Sequence, residues 1–123
     1  DQMFNQNIDI YAPCALGATL NDTNIEKLNC EIIAGAANNQ LAQEGVHDIT
    51  LKKKGILYAP DFLINAGGLI NVYSELKKWN QEKTLKKTEN IYDTTISILS
   101  RSETEDISTH EAALSIAKER LSK

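Results

Sequence analysis

With 123 residues, 41% of them hydrophobic and 24% charged, the chain has the composition of one ordinary globular domain rather than of a disordered segment. Its net charge of -4 comes from dispersed acidic residues, which argues against nucleic-acid binding. The two cysteines, Cys14 and Cys30, are too few for a disulfide framework, and polar residues interrupt the most apolar stretch, 55–72, so a reduced cytoplasmic protein without a membrane span is expected.

The first half of the chain alternates between short apolar runs and helical patterns. These patterns predict strands over 8–11, 31–34 and 55–58, and helices over 23–28 and 46–54. Thr23 and Glu26 have the spacing of a capping box, and Gly55 is placed to end the second helix in a left-handed conformation. The order strand, helix, strand, helix, strand predicts an α/β fold with a parallel sheet and right-handed crossovers.

The second half of the chain is predicted to be helical. A helix from about 66 to 79 carries an apolar stripe at i, i+3, i+4 and i+7, made of Leu69, Val72, Tyr73 and Leu76. A helix over 83–99 has one approximate face formed by Leu85, Tyr92, Thr95, Ile96 and Leu99. A last helix begins at Ser108, which has capping-box spacing to Glu111, and is expected to bury Ala113, Ile116, Ala117 and Leu121. The charged stretch 100–107 is predicted to be a mobile loop.

The two histidines do not indicate a metal site. His47 and His110 have no metal-ligand spacing with each other or with the cysteines. His110 is expected to be a solvated residue in the first turn of a helix, and His47 a residue of a loop or a helix start. No metal is therefore expected.

Three motifs of small and amide residues follow the three predicted strands. They read APCALG over 12–17, AGAANNQ over 34–40 and INAGGL over 64–69. The carboxyl ends of parallel strands open onto a shared crevice, which is where open α/β sheets bind ligands. The sequence therefore predicts a cofactor crevice at these three motifs.

With their flanking residues, the motifs resemble the C-terminal part of the glutamate, leucine, phenylalanine and valine dehydrogenase family, and the leucine dehydrogenases most of all. The resemblance implies the second half of a Rossmann-type NAD-binding domain, residues 1–65, followed by C-terminal helices, 66–123, that pack on it as one structural unit. The family's glycine-rich fingerprint and its domain with catalytic lysines and aspartate do not occur among these residues. The chain is therefore expected to be a fragment that holds no catalytic residue, is inactive alone and acts with a missing N-terminal catalytic domain.

The expected cofactor-binding residues are Cys14, Ala15, Asn38 and Asn39. An asparagine side chain offers one acceptor and two donors, which suits the carboxamide of a nicotinamide ring, and the resemblance favours this role for Asn38 first. The alternative is that Asn38 and Asn39 only close a turn. The resemblance places the backbone of Cys14 and Ala15 beside the cofactor's ribose and pyrophosphate, whereas the residues alone favour a turn with a buried thiol.

The expected substrate-binding residues are Asn65, Gly67, Gly68, Leu69 and Val72. Glycines at a helix start allow close approach of a ligand, and the free N-H groups there favour a negative charge. The alternative is that the glycines only let the helix pack tightly on the sheet. The resemblance implies that Leu69 and Val72 line the pocket for an aliphatic side chain, since burying a distal carboxylate without a partner would be unfavourable. Many leucine dehydrogenases are expected to have valine where this sequence has Leu69, which would make this pocket tighter.

The function that the resemblance implies is NAD-dependent oxidative deamination of leucine, valine or isoleucine to the 2-oxo acid and ammonia, in a homo-oligomer. One alternative is a phenylalanine or valine dehydrogenase of the same family. A second is a non-catalytic nucleotide-binding or interaction module. The residues that would distinguish NAD from NADP are expected to follow the missing fingerprint.

Overall fold

A parallel sheet forms in the first half of the chain, and helices make up the second half. The computed structural model describes residues 3–122. Within this range the sheet has the order β1-β2-β3, with strands β1 (Ile10–Tyr11), β2 (Ile32–Ile33) and β3 (Leu57–Tyr58). A 3-10 turn at Met3–Asn5 precedes the helices α1 (Asp22–Lys27), α2 (His47–Lys53), α3 (Asp61–Ile64), α4 (Gly67–Leu76), α5 (Gln81–Glu105) and α6 (Thr109–Leu121). The expected α/β fold is confirmed.

The strands pair in parallel, as predicted, but each is shorter than predicted. Ile32 is in register with Ile10 on one side and with Leu57 on the other. The segments that precede β1 and β2 also lie side by side, since the Ile8 N-H donates to the Asn29 carbonyl at 3.2 Å. The three strands therefore end along one edge of the sheet, where the first two motifs follow β1 and β2 directly and the third follows β3 after α3.

The first two helices differ from their predictions in how they begin. Asn21 caps α1, and its side chain accepts the N-H of Asn24 at 3.0 Å. The predicted capping box of Thr23 and Glu26 is wrong because the helix already begins at Asp22. The predicted end of α2 is confirmed, since Gly55 takes a left-handed φ of 77°.

The main core lies between the sheet, α1 and α2. Leu20, Ile33 and Leu51 are completely buried there, and Tyr11 and Tyr58 extend the same cluster from the strands. A second, smaller cluster lies among the C-terminal helices, where Ile98 of α5 packs against alanines of α6. The sheet half thus has the larger apolar core, and the helical half has a small cluster of one isoleucine and two alanines with partly buried residues around it.

The segment 100–107 is mostly helical, so the prediction of a mobile loop there is wrong. α5 continues to Glu105, and Asp106 ends it in a left-handed conformation with φ 55°. The charged residues form ion pairs along the helix surface: Arg101 contacts Glu105 at 3.4 Å and Glu119 of α6 at 2.7 Å. A charged stretch that resembled a linker is in fact a solvated helix face.

The predicted packing faces of the last two helices are only partly right. In α5 the buried residues are Ile98 and Ser102, whereas Leu85, Tyr92 and Ile96 are exposed. Thr95 and Leu99 of the predicted face are half-buried, so apolar periodicity reveals the inward face only in part. In α6 Ala113 is buried and Ile116 is half-buried, but Ala117 and Leu121 are exposed. No helix within residues 3–122 combines the length and apolar character needed to cross a membrane.

Polar contacts attach the start of α6 to the sheet half. Ser108 caps α6, as predicted, by accepting the Glu111 N-H at 3.0 Å, and its hydroxyl donates to Asp48 of α2 at 2.5 Å. The Thr109 hydroxyl donates to the Tyr58 carbonyl at 2.5 Å. His110 is 3% exposed, so its predicted solvation is wrong. It lies edge-on to Phe62, with the ring centroids 5.5 Å apart.

Candidate functional site

The first two motifs lie against each other beyond the ends of β1 and β2. The Ala37 N-H donates to the Pro13 carbonyl at 2.9 Å. Gly35 approaches so closely that a Cβ at this position would clash with the carbonyl and ring of Pro13. A small residue is therefore required at Gly35, because the two backbones share the same space.

The second and third motifs are joined by a hydrogen bond between side-chain amides. The Asn65 Nδ2 donates to the Asn38 Oδ1 at 2.6 Å. Asn38 is exposed and Asn65 is half-buried, so this amide pair lies at the surface beyond β2 and β3. We call the residues 12–17, 35–40 and 61–68 the rim. The structure thus brings together the expected residues of the two asparagine motifs.

Asn39 has mainly a structural place in the rim. It adopts a left-handed φ of 52°, and its carbonyl accepts the Ala18 N-H at 2.7 Å. A Cβ at Gly17 would lie 2.9 Å from the Asn38 carbonyl and 3.0 Å from that of Asn39. This is the turn-closing role that the sequence left as an alternative, and Asn39 fills it through its backbone.

Cys14 and Ala15 line an open groove beside β1. The groove has a volume of about 470 Å³ and is mainly apolar, with Phe4, Tyr11 and Leu16 among its other lining residues. Cys14 is exposed, which corrects the alternative of a buried thiol, and its Sγ accepts the Ala36 N-H at 3.5 Å. The other cysteine, Cys30, is half-buried, and burial raises the pKa of its thiol.

Gly67 and Gly68 form the first turn of α4, as the third motif predicts. A Cβ at Gly68 would have no neighbour within 4 Å, and at Gly67 it would meet only the Thr88 methyl group at 3.9 Å. The alternative that these glycines allow tight packing on the sheet is therefore wrong. The space beside this helix start is open, and its first N-H groups have no acceptor within the helix itself.

An apolar stripe runs along the outer face of α4. We define the α4 stripe as Leu69, Val72, Tyr73 and Leu76, whose exposed fractions are 73%, 56%, 47% and 77%. Leu69 follows Asn65 by four residues, which is about one helical turn. The structure thus places the expected pocket residues Leu69 and Val72 on an accessible surface beyond the amide pair.

Sequence reasoning missed two buried polar residues of the rim, Asp61 and Gln40, which lie behind the amide pair. The Asp61 carboxylate is 7% exposed, and its Oδ2 accepts the Gln40 N-H at 2.8 Å. Gln40 is completely buried, and its amide donates to the carbonyls of Gly35 and Ala37 at 2.7 and 2.9 Å. Gln40 ends the second motif, and Asp61 lies three residues before the third. The available signal was a carboxylate that directly follows a buried strand and a proline.

The electrostatics of this region act on Tyr58. Burial raises the pKa of the Tyr58 hydroxyl far above its usual value, and the nearby Asp61 carboxylate raises it further. Tyr58 is therefore a neutral hydrogen-bonding group, and its oxygen accepts the Asp61 N-H at 3.3 Å. Within residues 3–122 there is no cluster of three or more side chains suited to hold a metal ion.

The chain belongs to the Glutamate/Leucine/Phenylalanine/Valine dehydrogenase family, whose sequence profile matches residues 1–123. It is 48% identical over 120 residues to the L-tryptophan dehydrogenase of Nostoc punctiforme, covering 98% of this chain and 34% of the relative. It is 50% identical to the leucine dehydrogenase of Bacillus subtilis (98% and 33% covered) and 46% identical to the phenylalanine dehydrogenase of Thermoactinomyces intermedius (100% and 33% covered). The chain thus spans about a third of the length of these relatives.

A solved structure supports the same assignment. The crystal structure of the L-tryptophan dehydrogenase from Nostoc punctiforme superposes with a TM-score of 0.94 at 48% identity, covering 98% of this chain and 36% of that one. The family resemblance inferred from the three motifs is therefore confirmed.

Proposed function

We propose that this chain forms the C-terminal part of an NAD-dependent amino-acid dehydrogenase, which converts a branched-chain L-amino acid to its 2-oxo acid and ammonia. Residues 1–65 would complete the dinucleotide-binding domain, and 66–123 would be the helices that pack on it. The observation that carries the proposal is the 2.6 Å hydrogen bond between Asn65 and Asn38, which presents two carboxamides at the carboxyl end of the sheet.

The donor set of the amide pair suits a nicotinamide. Because the Asn38 Oδ1 accepts from Asn65, the Asn38 Nδ2 stays free to donate and the Asn65 Oδ1 stays free to accept. A nicotinamide carboxamide needs one acceptor and one donor, so Asn38 and Asn65 would hold its ring in one orientation. Cys14 and Ala15 would border the remainder of the cofactor in the groove beside β1. When bound, NAD would supply the chemistry by accepting a hydride from the substrate.

The start of α4 would hold the substrate. Its first-turn N-H groups at Gly67 and Gly68 would favour a carboxylate, such as the one that every amino acid carries. Leu69 and Val72 would contact the substrate side chain with hydrocarbon alone. Each methylene buried there contributes about 0.8 kcal/mol, which favours aliphatic substrates over glutamate. The catalytic acid-base groups would lie outside this chain, and the chain alone would be inactive.

A second candidate is an aromatic amino acid as substrate. It is favoured by the relatives, because identities of 48% and 46% to a tryptophan and a phenylalanine dehydrogenase are close to the 50% to a leucine dehydrogenase. The apolar surface of the α4 stripe accepts an aromatic ring as well as an aliphatic side chain. Both candidates share the reaction and differ in the volume of the pocket.

The proposal also includes the setting of the enzyme. We expect a cytoplasmic homo-oligomer whose substrate is a small molecule, an amino acid, and which has no nucleic-acid or membrane partner. The rival from a different class is a non-catalytic nucleotide-binding or interaction module. The coding sequence upstream of Asp1 distinguishes them: a continuous frame with a glycine-rich fingerprint and a lysine-bearing domain supports the enzyme.

A spectrophotometric screen tests the proposed reaction. The complete protein is assayed for reduction of NAD and of NADP with leucine, valine, isoleucine, phenylalanine, tryptophan and glutamate. We expect NAD reduction with leucine, valine or isoleucine and little with glutamate. Higher kcat/KM with phenylalanine or tryptophan would select the second candidate, and no reduction with any amino acid would contradict the proposal.

A further inference from the structure

We infer that Asp61 is a positioning residue that acts through Gln40 and the backbone of α3 to hold the Asn38 and Asn65 carboxamides in one geometry. This inference rests on the proposed function of the amide pair. Asp61 does not form part of that pair; it lies behind it, 7% exposed.

Asp61 joins two segments that are distant in sequence. Its Oδ1 accepts the N-H of Phe62 at 2.6 Å, within α3, and its Oδ2 accepts the N-H of Gln40, 21 residues away, at 2.8 Å. A cap for the short α3 alone needs one acceptor, which an asparagine or serine supplies at lower desolvation cost. The second oxygen of a carboxylate is what reaches the segment that carries Asn38.

Gln40 fixes the backbone of the segment that carries Asn38. Its Nε2 donates to the carbonyls of Gly35 and Ala37, so the segment immediately before Asn38 is closed on itself. Its own N-H is held by Asp61 on the other side of Asn38. The exposed Asn38 is therefore bracketed by hydrogen bonds to completely buried Gln40.

Asp61 also positions the backbone of Asn65, the other member of the amide pair. The Asn65 N-H donates to the Asp61 carbonyl at 3.0 Å, one helical turn along α3. The two side-chain hydrogen bonds, Gln40 to Asp61 and Asn65 to Asn38, thus connect the same two segments side by side. Displacing one of them displaces the other.

The first experiment is a double-mutant cycle in the complete protein with Asp61→Asn, Asn38→Ala and the double variant. The Asp61→Asn side chain has the same size, but it presents an NH2 group to one of the two N-H donors. We measure kcat and KM for the amino acid that the screen selects, the NADH dissociation constant by fluorescence titration, and the thermal midpoint. Because small misplacement of an orienting group is costly, we expect Asp61→Asn to lower kcat by roughly 10- to 100-fold, more than it raises KM.

The cycle separates positioning from a merely structural role. If Asp61 acts through Asn38 and Asn65, adding Asp61→Asn to Asn38→Ala lowers kcat and NADH affinity much less than Asp61→Asn does in the wild type, because only Asn65 is left to be positioned. Asp48→Asn is the matched control: Asp48 is also a buried first-turn carboxylate, 3% exposed, but it bonds Ser108 away from the rim. We expect it to change the thermal midpoint and leave kcat at the wild-type level.

Gln40→Met provides a second variant if Asp61→Asn does not fold. It removes the two donations to Gly35 and Ala37 and leaves the carboxylate intact, and we expect its effect on kcat to be similarly reduced when it is combined with Asn38→Ala. If the losses of kcat in the single variants multiply in the double variant, the inference is overturned but the proposed function is not. The same holds if Asp61→Asn keeps wild-type kcat while Asn38→Ala is impaired. Wild-type kcat and NADH affinity in Asn38→Ala would overturn the proposed role of the amide pair, and the inference with it.

Discussion

The rim and the α4 stripe adjoin each other but are built in opposite ways. Rim residues are held by hydrogen bonds between positions more than 20 residues apart, such as Gln40 to Asp61 and Asn65 to Asn38. The side chains of the α4 stripe are 47% to 77% exposed and project from a single helix. A polar surface fixed by hydrogen bonds can orient a ligand, whereas an exposed apolar surface offers only non-directional contact. In the proposed function, the rim would orient the cofactor, and Leu69 and Val72 of the α4 stripe would contact the substrate side chain.

The largest expected effect is a difference in stability loss between substitutions in the main core and in the α4 stripe. Leu51→Ala removes a completely buried side chain and should destabilise the protein by about 2–5 kcal/mol. Leu76→Ala, at a side chain 77% exposed, should change stability by less than about 0.5 kcal/mol. Urea unfolding of the complete protein measures both. A large loss in Leu76→Ala would show that the stripe is part of a core.

Two glycine substitutions sharpen the comparison within the site. Gly35→Ala should destabilise the protein by about 1–3 kcal/mol or more, because the new methyl group meets the Pro13 backbone. Gly68→Ala meets nothing within 4 Å and should stabilise α4 by up to about 1 kcal/mol.

Catalysis should respond differently from stability in these two variants. If the space beside Gly68 is where the substrate approaches, Gly68→Ala raises the thermal midpoint but also raises KM for the amino acid. Thermal unfolding and steady-state kinetics are compared on the same preparations. An unchanged KM in Gly68→Ala would remove the start of α4 from the substrate site.

A smaller effect tests the pocket assigned to Leu69. Leu69→Val removes one methylene and should shift the ratio of kcat/KM for leucine over valine by a few fold toward leucine, from about 0.8 kcal/mol of contact. Leu76→Val, on the same stripe but two turns further along α4, is the control and should leave that ratio unchanged. An unchanged ratio in Leu69→Val would refute the pocket assignment.

The smallest expected effect is a pH dependence that originates behind the rim. Burial and Asp61 raise the pKa of Tyr58, so folding favours its neutral hydroxyl. The resulting stability is fully present below the unfolded pKa of about 10 and is lost as pH rises above it. Tyr58→Phe cannot ionise, so its stability should fall less steeply above about pH 10 than that of the wild type. Parallel slopes in alkaline urea titrations would contradict this assignment.

The sheet half could be predicted from the sequence because its signals are local. Ile32 and Leu57 lie in short apolar runs, the first followed directly by the second motif and the second followed by a proline and an aspartate shortly before the third motif. Parallel pairing follows from the intervening helices, and the common edge follows from parallel pairing. The proximity of Asn38 and Asn65 therefore follows from a sheet topology that the sequence predicts.

The helical half was harder because its packing does not follow apolar periodicity. α5 buries Ile98 and Ser102 and leaves Leu85 and Tyr92 exposed, so its apolar side chains lie on both faces and do not mark the packed one. His110 is buried by the docking of α6 onto the sheet half, a long-range contact without a local signal. The same reason applies to Asp61, whose partner Gln40 lies 21 residues earlier.

A crystal structure of the complete protein with NADH tests the central claim most directly. We predict that the nicotinamide carboxamide lies within hydrogen-bond distance of the Asn38 Nδ2 or the Asn65 Oδ1, at the carboxyl ends of β2 and β3. A nicotinamide ring bound elsewhere, with Asn38 and Asn65 still bonded only to each other, would contradict the account.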